Sequence, residues 1–305
     1  MTAVPDLELL RAKLGAAGRA NVPLAPYTSA RIGGPADYLI VANSSDDLET
    51  TVGVLWREGI DFVLLGGGSN VLVSDRGVRG VTLLNRAKAV RFEQGEPPSV
   101  WAESGVVFSN LANRCATKGM SGLEWAATVP GTVGGAAFGN AGAFGGDMAG
   151  SLNWADVLTP SGREKWSVEA MAYGYRTSVL KKKLARGVVL AADLRLAQST
   201  RTEVERQMRE FGERRKTTQP PGASMGSMFK NPPSDLAGRL IEAAGLKGAR
   251  IGNAGISSVH ANFFMNHGRA RAEDVRLLVE MARSRVLEKF GVDLELEIEW
   301  VGEWQ

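Results

Sequence analysis

A chain of 305 residues is long enough for two or three domains with substantial cores. With 44% hydrophobic and 23% charged residues it is not a disordered, collagenous or coiled-coil protein, and a net charge of +3 is too small an excess for a nucleic-acid binder. The one cysteine, Cys115, excludes an internal disulfide and a zinc site built on several cysteines.

From the N-terminus, Asp6 and Glu8 interrupt any basic-then-apolar leader, so a reducing cytoplasm is the expected compartment. Asp6 to Gly15 reads as a helix with Leu7, Leu10 and Leu14 on one face after Pro5. Tyr38 to Val41 is a predicted strand, Ser44 or Ser45 caps a helix ending near Gly59, and Phe62 to Leu65 is a wholly apolar strand. A short strand, Val71 to Val73, follows the turn Gly66 to Asn70, and the alternation makes a small α/β unit.

Further strands are expected between Val81 and Ser104, then a helix from Phe108 to Thr117 stopped by Gly119, with Cys115 on its apolar face as core. Residues 155–168 form a predicted hairpin turning at Pro160-Ser161-Gly162, and Val188 to Leu196 is another strand. A charged helix from Glu203 to Lys216 carries the apolar stripe Val204, Met208 and Phe211, and the change of composition there puts a domain boundary near residue 200. Beyond it come a loop from Gln219 to Pro233, a helix capped by Ser234, and a helix from Ala272 to Lys289. The chain closes on an alternating strand, with Leu294, Leu296, Ile298 and Trp300 on one side and Glu295, Glu297 and Glu299 on the other.

The 37 glycines are the unusual feature, and they cluster. Residues 125–146 hold seven of them and no charge, but Pro130, Asn140 and the helix cost of glycine argue against a membrane span. Two loops, Gly66-Gly67-Gly68-Ser69-Asn70 and Pro130-Gly131-Thr132-Val133-Gly134-Gly135, lie near strand ends or helix starts. Backbone amides without a Cβ in the way form anion-binding concavities suited to a pyrophosphate. Tight turns and close packing are the alternative for each loop; two loops together with Gly139-Asn140-Ala141-Gly142 favour a nucleotide-like ligand. Gly-x-Gly-x-x-Gly and any Gly-Lys pair are absent from the chain, which excludes a Rossmann fingerprint and a P-loop.

These loops belong to a longer series of motifs: Thr28-x-x-x-Ile32-Gly33-Gly34-Pro35-Ala36-Asp37, Gly122-Leu123-Glu124, Asn140-Ala141-Gly142-Ala143, Tyr175-Arg176-x-Ser178, Gly226-Ser227-Met228-Phe229-Lys230-Asn231-Pro232 and His260-Ala261-Asn262-Phe263. In this order, from about residue 20 to 302, the chain resembles the UDP-N-acetylenolpyruvoylglucosamine reductase family, flavoenzymes of peptidoglycan precursor synthesis. The resemblance implies an α+β fold. Two α/β FAD-binding subdomains of the vanillyl-alcohol-oxidase type are expected over 1–80 and 81–199, and a C-terminal α+β substrate-binding domain over 200–305.

It further implies FAD held by Gly66, Gly67, Gly68, Ser69, Asn70, Gly131, Thr132, Gly134, Gly135 and Asn140, with NADPH as co-substrate, a UDP-sugar enol ether as substrate and no metal. His260 and His267 are the only histidines, and neither lies in the N-terminal half where same-fold oxidases that act on other alcohols or sugars anchor flavin covalently, so the FAD is expected to be noncovalent. By family position Ser227 is the proton donor, Arg176 holds the substrate carboxylate, Glu297 shares a hydrogen bond with it, and Lys230 and Asn231 contact substrate.

Bland readings stand beside these. Ser227 reads as a turn former, Arg176 as a solvated arginine, and Glu297 as one of three glutamates on a solvent face, which periodicity alone does not distinguish. Arg214, Arg215 and Lys216 read as a solvated helix end with a diphosphate contact as the alternative. Lys181 to Lys183 read as a charged loop, and His260 is given no chemistry. Only nine residues separate Ser178 from Val188, too few for the long tyrosine-bearing loop of one branch of the family, and Met225 stands where alanine is commoner.

Overall fold

The computed structural model describes residue 12 and residues 18–304. Apart from Ala12, the helix expected over Asp6 to Gly15 lies outside the described residues.

The first layer is a four-stranded sheet of β1 (Arg19–Pro23), β2 (Pro35–Ala42), β3 (Phe62–Leu65) and β5 (Val78–Asn85), ordered β1-β2-β5-β3, with β2 and β3 both parallel to β5. Helix α1 (Ser45–Arg57) crosses between β2 and β3. Its start is set by Ser44, whose Oγ accepts from Asp47 N at 3.0 Å, and its buried face is Leu48, Val52 and Leu55 at helical spacing. The boundary expected at 80/81 falls inside β5, the strand that pairs with β2 as far as Asn85 and with β3 as far as Leu84. Strand β4 (Val71–Val73) does not join this sheet.

The second layer is an antiparallel five-stranded sheet. It contains β6 (Val90–Glu93), β7 (Ser99–Glu103), the predicted hairpin as β8 (Leu152–Thr159) and β9 (Gly162–Ser167), and β10 (Val188–Arg195). Helix α2 (Phe108–Thr117) and the short glycine helix α3 (Val133–Gly139) pack on it. Cys115 is buried there as expected, and burial pushes its thiol up to about 12, which leaves it an inert apolar filler. Leu158, Val188 and Leu190 of this sheet share a core with Tyr38, Leu83 and the buried face of α1, so the two sheets form one seam.

Helix α4 (Arg201–Thr218) is placed by that second core, not by the third domain to which a boundary near 200 assigns it. Its Met208 and Phe211 pack on the cluster around Leu111 and Trp125. The compositional change marks where the chain leaves the sheet, well before it enters the next core.

The C-terminal region builds a four-stranded antiparallel sheet from β11 (Ala223–Ser227), β12 (Arg250–Ile251), β13 (Ala254–Ile256) and β14 (Phe263–Asn266). Helices α5 (Ala237–Ala243) and α6 (Ala272–Phe290) cover it. Two expectations are corrected here. The stretch 219–233 is not all loop, because Ala223 and Ser224 pair with Asn266 and Met265 as an edge strand. The helix after it is capped not by Ser234 but at Leu236, where Asn231 Oδ1 accepts from Ala237 N at 3.1 Å. The end of the chain is also shorter in strand than its alternation suggests: only β15 (Glu299–Val301) is regular, and it pairs parallel with β4.

That last pairing returns the C-terminus to the first subdomain. Asp75 reinforces it by accepting from Ala272 N and Glu273 N at 2.9 and 3.0 Å, supplying the orphan donors at the start of α6 with a carboxylate. Ala30, Ile32 and Leu72 of the first subdomain lie in the same apolar core as Phe264, Leu278 and Val286.

Candidate active site

The two glycine loops, read separately in the sequence, touch. A methyl group added at Gly67 would lie 2.8 Å from Gly131 Cα, and one at Gly66 would lie 2.4 Å from Thr132 Oγ1. Only a residue without a Cβ lets these backbones approach so closely. Ser69 Oγ donates across the contact to Pro130 O at 3.4 Å, and Arg86 Nη1 donates to Gly66 O at 2.8 Å from below.

Beside this contact a cavity of about 540 Å³ opens along the seam between the two sheets. Gly66, Thr132, Gly134 and Gly135 line it, together with Trp56 and Phe62 from the first subdomain. The Asn85 amide, donating to Ser104 Oγ at 2.7 Å, lies at its floor, and Lys183 and Arg186 stand on its wall. A cavity lined by Trp56, Phe62 and Phe138, by glycine backbone and by two cations can take the ring system and pyrophosphate of a dinucleotide. Nothing in the single sequence distinguishes Trp56, Phe62, Lys183 or Arg186 as lining residues; they come together only through the seam.

Not every expected cofactor residue faces this space. The Asn140 side chain donates to Gly174 O and accepts from Ala149 N, both at 3.0 Å, while its backbone takes the left-handed conformation that ends α3. It ties the glycine helix to the loop bearing Arg176. The Asn70 amide donates to Glu297 O at 3.0 Å, and its own carbonyl accepts from Glu299 N at 2.9 Å. The first glycine loop therefore ends by gripping the segment of Glu297.

Arg176 and Glu297 meet across the domains, with Nε 3.0 Å from Oε1. Their alignment makes this an ion pair without a formed hydrogen bond at Nε. Arg176 holds a left-handed backbone (φ 56°), a costly conformation for a side chain with a Cβ, inside the tight Gly174–Thr177 turn. Burial drives the Glu297 carboxyl above the ordinary glutamate range, outweighing the opposing pull of Arg176, Lys181 and Lys230. The three glutamates are thus unlike: the Glu297 side chain is 17% exposed, against 73% for Glu295 and 45% for Glu299.

Ser227 ends β11 opposite Phe263, after a register slip and Gly226 at φ 79°. Its hydroxyl has no hydrogen-bond partner among the described residues. The next residues are fastened on both sides: Met228 N and Phe229 N donate to Asn262, while Met228 O accepts from Glu297 N at 2.9 Å. Ser227 and Glu297 therefore lie on neighbouring extended segments. Lys230 pairs with the exposed Glu295 carboxylate, and Asn231 is occupied as the cap of α5. His260 is structural, its Nδ1 accepting from Asn262 N at 3.2 Å.

Residues 217–301 match the family described as UDP-N-acetylenolpyruvoylglucosamine reductase, C-terminal domain, and residues 36–167 match the FAD binding domain family. The UDP-N-acetylenolpyruvoylglucosamine reductase of Chloroflexus aggregans is 43% identical over 285 residues, 92% of this chain and 96% of that protein. The chain belongs to the UDP-N-acetylenolpyruvoylglucosamine reductase family. The Bacillus subtilis reductase is 42% identical over 286 residues, 93% of each chain. The crystal structure of the Thermus caldophilus reductase superposes with a TM-score of 0.80 at 36% identity, covering 93% of this chain and 99% of that one. This reductase fold is the expected α+β arrangement, with FAD-binding subdomains followed by a C-terminal substrate domain. Among the described residues, no helix is long and apolar enough to cross a membrane, and no cluster of metal-ligating side chains occurs.

Proposed function

We infer that this chain reduces UDP-N-acetylglucosamine enolpyruvate to UDP-N-acetylmuramate with NADPH, for peptidoglycan precursor synthesis in the cytoplasm. The family assignment supports the reaction, and the Arg176–Glu297 pair, lodged where the glycine loops meet the C-terminal domain, carries the assignment of roles.

Gly66, Thr132, Gly134 and Gly135 would hold FAD along the seam, and the bound flavin would supply hydride chemistry toward the methylene carbon of the enol ether. The residues of the chain manage the charge this leaves on the substrate. Arg176 grips the substrate carboxylate with its guanidinium fork and stays charged as the enolate builds. Glu297, whose proton burial holds more tightly than water would, donates its O–H to the same carboxylate when it carries that proton. Ser227 gives its proton to the carbon next to the methylene, closing the new C–H bond as the enolate electron pair is consumed, and the alkoxide left behind is reprotonated from solvent. Lys230, three residues on, favours that transient alkoxide. Asn231 contributes chiefly by holding the start of α5.

An anaerobic sequence of additions tests the reading. NADPH should bleach the yellow protein, and UDP-N-acetylglucosamine enolpyruvate should then restore the colour with formation of UDP-N-acetylmuramate. Bleaching without recovery in the presence of that substrate would refute it.

A further inference from the structure

Lys181 lies in a run of three lysines that reads in sequence as a solvated loop, yet its side chain is only 11% exposed. Its Nζ is 3.2 Å from Glu297 O, to which it donates, and 3.1 Å from Glu299 Oε1. The Glu297 carbonyl thus receives two donors, Asn70 from the first glycine loop and Lys181 from the loop that carries Arg176. That second loop is in turn bound to the glycine helix. Ser178 Oγ donates to Phe138 O at 2.6 Å and accepts from Lys181 N at 3.2 Å.

We propose that Lys181 is a positioning residue for Glu297, its ammonium fastening the segment of Glu297 and Glu299 to the Arg176 loop so that carboxyl and guanidinium meet at one point. This rests on the roles inferred above for Glu297 and Arg176. Burying a long, strongly hydrated lysine costs side-chain entropy and desolvation, and the carbonyl and carboxylate at its tip are what offset that cost here.

The charges facing the Glu297 carboxyl are Arg176 and Lys181 from one loop and Lys230 from β11's extension, with Glu295 and Glu299 flanking it in sequence. Lys181 favours the carboxylate form, and Glu299, paired with the Lys181 ammonium at 3.1 Å, offsets that charge. The two neighbours therefore act on the Glu297 proton in opposite directions, which separates a positioning role from simple loosening of the fold.

The test follows the Glu297 resonance by NMR in holoenzyme labelled with 13C at the glutamate carboxyl, assigned by its loss in Glu297→Gln. In Lys181→Met the titration midpoint should rise by about 0.5–1 pH unit, and in Glu299→Gln it should fall by a similar amount, ~3–10-fold in proton affinity each way. The alkaline limb of the rate of flavin reoxidation by the enolpyruvyl substrate should move with it, and Lys181→Arg should restore the wild-type profile. Flavin reduction by NADPH should be unaffected in all three. Midpoints that stay put, or that move the same way in both variants, would overturn the proposal. Wild-type protein that bleaches but is not reoxidised would instead refute the underlying reaction, whatever the midpoints do.

Discussion

Arg176 and Glu297 are 121 positions apart in the chain, yet their charged atoms approach to 3.0 Å. The separation matters because one residue belongs to the loop tied to the glycine helix and the other to the segment that returns the C-terminus to the first subdomain. Glu297→Ala should lower substrate-dependent flavin reoxidation by ~10²–10³-fold, the usual loss when a donor to developing negative charge is removed. Glu295→Ala should stay within about threefold of wild type, because its pair with Lys230 is solvent-screened. Stopped-flow reoxidation at saturating substrate distinguishes the two.

Ser227 stands at the end of an edge strand, with the residues after it held by Asn262 and the Glu297 segment. Ser227→Ala should keep flavin reduction by NADPH at wild-type rate and lose ~10²–10⁴-fold in reduction of the enolpyruvyl substrate. Half-reaction kinetics check it, and near-normal reoxidation in the variant would remove Ser227 as the proton donor.

The buried carboxyl of Glu297 also leaves a mark on stability. Its proton is held more tightly in the folded chain than in the unfolded one, so folding is favoured where the group is protonated. That contribution is fully present below the unfolded glutamate value and is lost as pH rises through the raised folded value. Glu297→Gln carries no charge to desolvate and lacks this loss. The Tm of wild type relative to Glu297→Gln should therefore decline as pH rises from the unfolded glutamate value, measured by calorimetry across a pH series.

The contact between the glycine loops makes a sharper steric prediction. In Gly67→Ala the new methyl meets the backbone of Gly131, which has no flexible end to swing aside. A strain of about 1–3 kcal/mol in the bound arrangement would weaken FAD affinity by roughly 5–150-fold, read from flavin fluorescence on titration. Gly139→Ala meets nothing within 4 Å at the end of the glycine helix and should leave FAD affinity unchanged.

The residues that were legible in the sequence are those whose behaviour is local. A cap at Ser44 or Ser45 with an end near Gly59 specifies a helix, and Pro160-Ser161-Gly162 a hairpin turn, because both depend on the backbone within a few residues. The glycine loops, too, announce their bare amides without any knowledge of the fold. Strand β11 was illegible for the converse reason: an edge strand of small residues has no apolar alternation, and only its partner β14 makes it a strand.

The amino-acid sequence, through the motif series it shares with its family, identified an α+β flavin reductase, and by itself it showed two bare glycine loops and a Cys115 on the apolar face of a helix. Only the tertiary structure decided which of three alternating glutamates leaves water, that Lys181 is buried beside it, and that Asn70 and Asn140 bind protein segments. The reason is the range of the forces involved. Alternation repeats every two residues and treats the three glutamates alike, whereas burial and charge pairing are set by whatever the fold brings across the gap. At Glu297 that is an arginine, a lysine and an amide from distant parts of the chain.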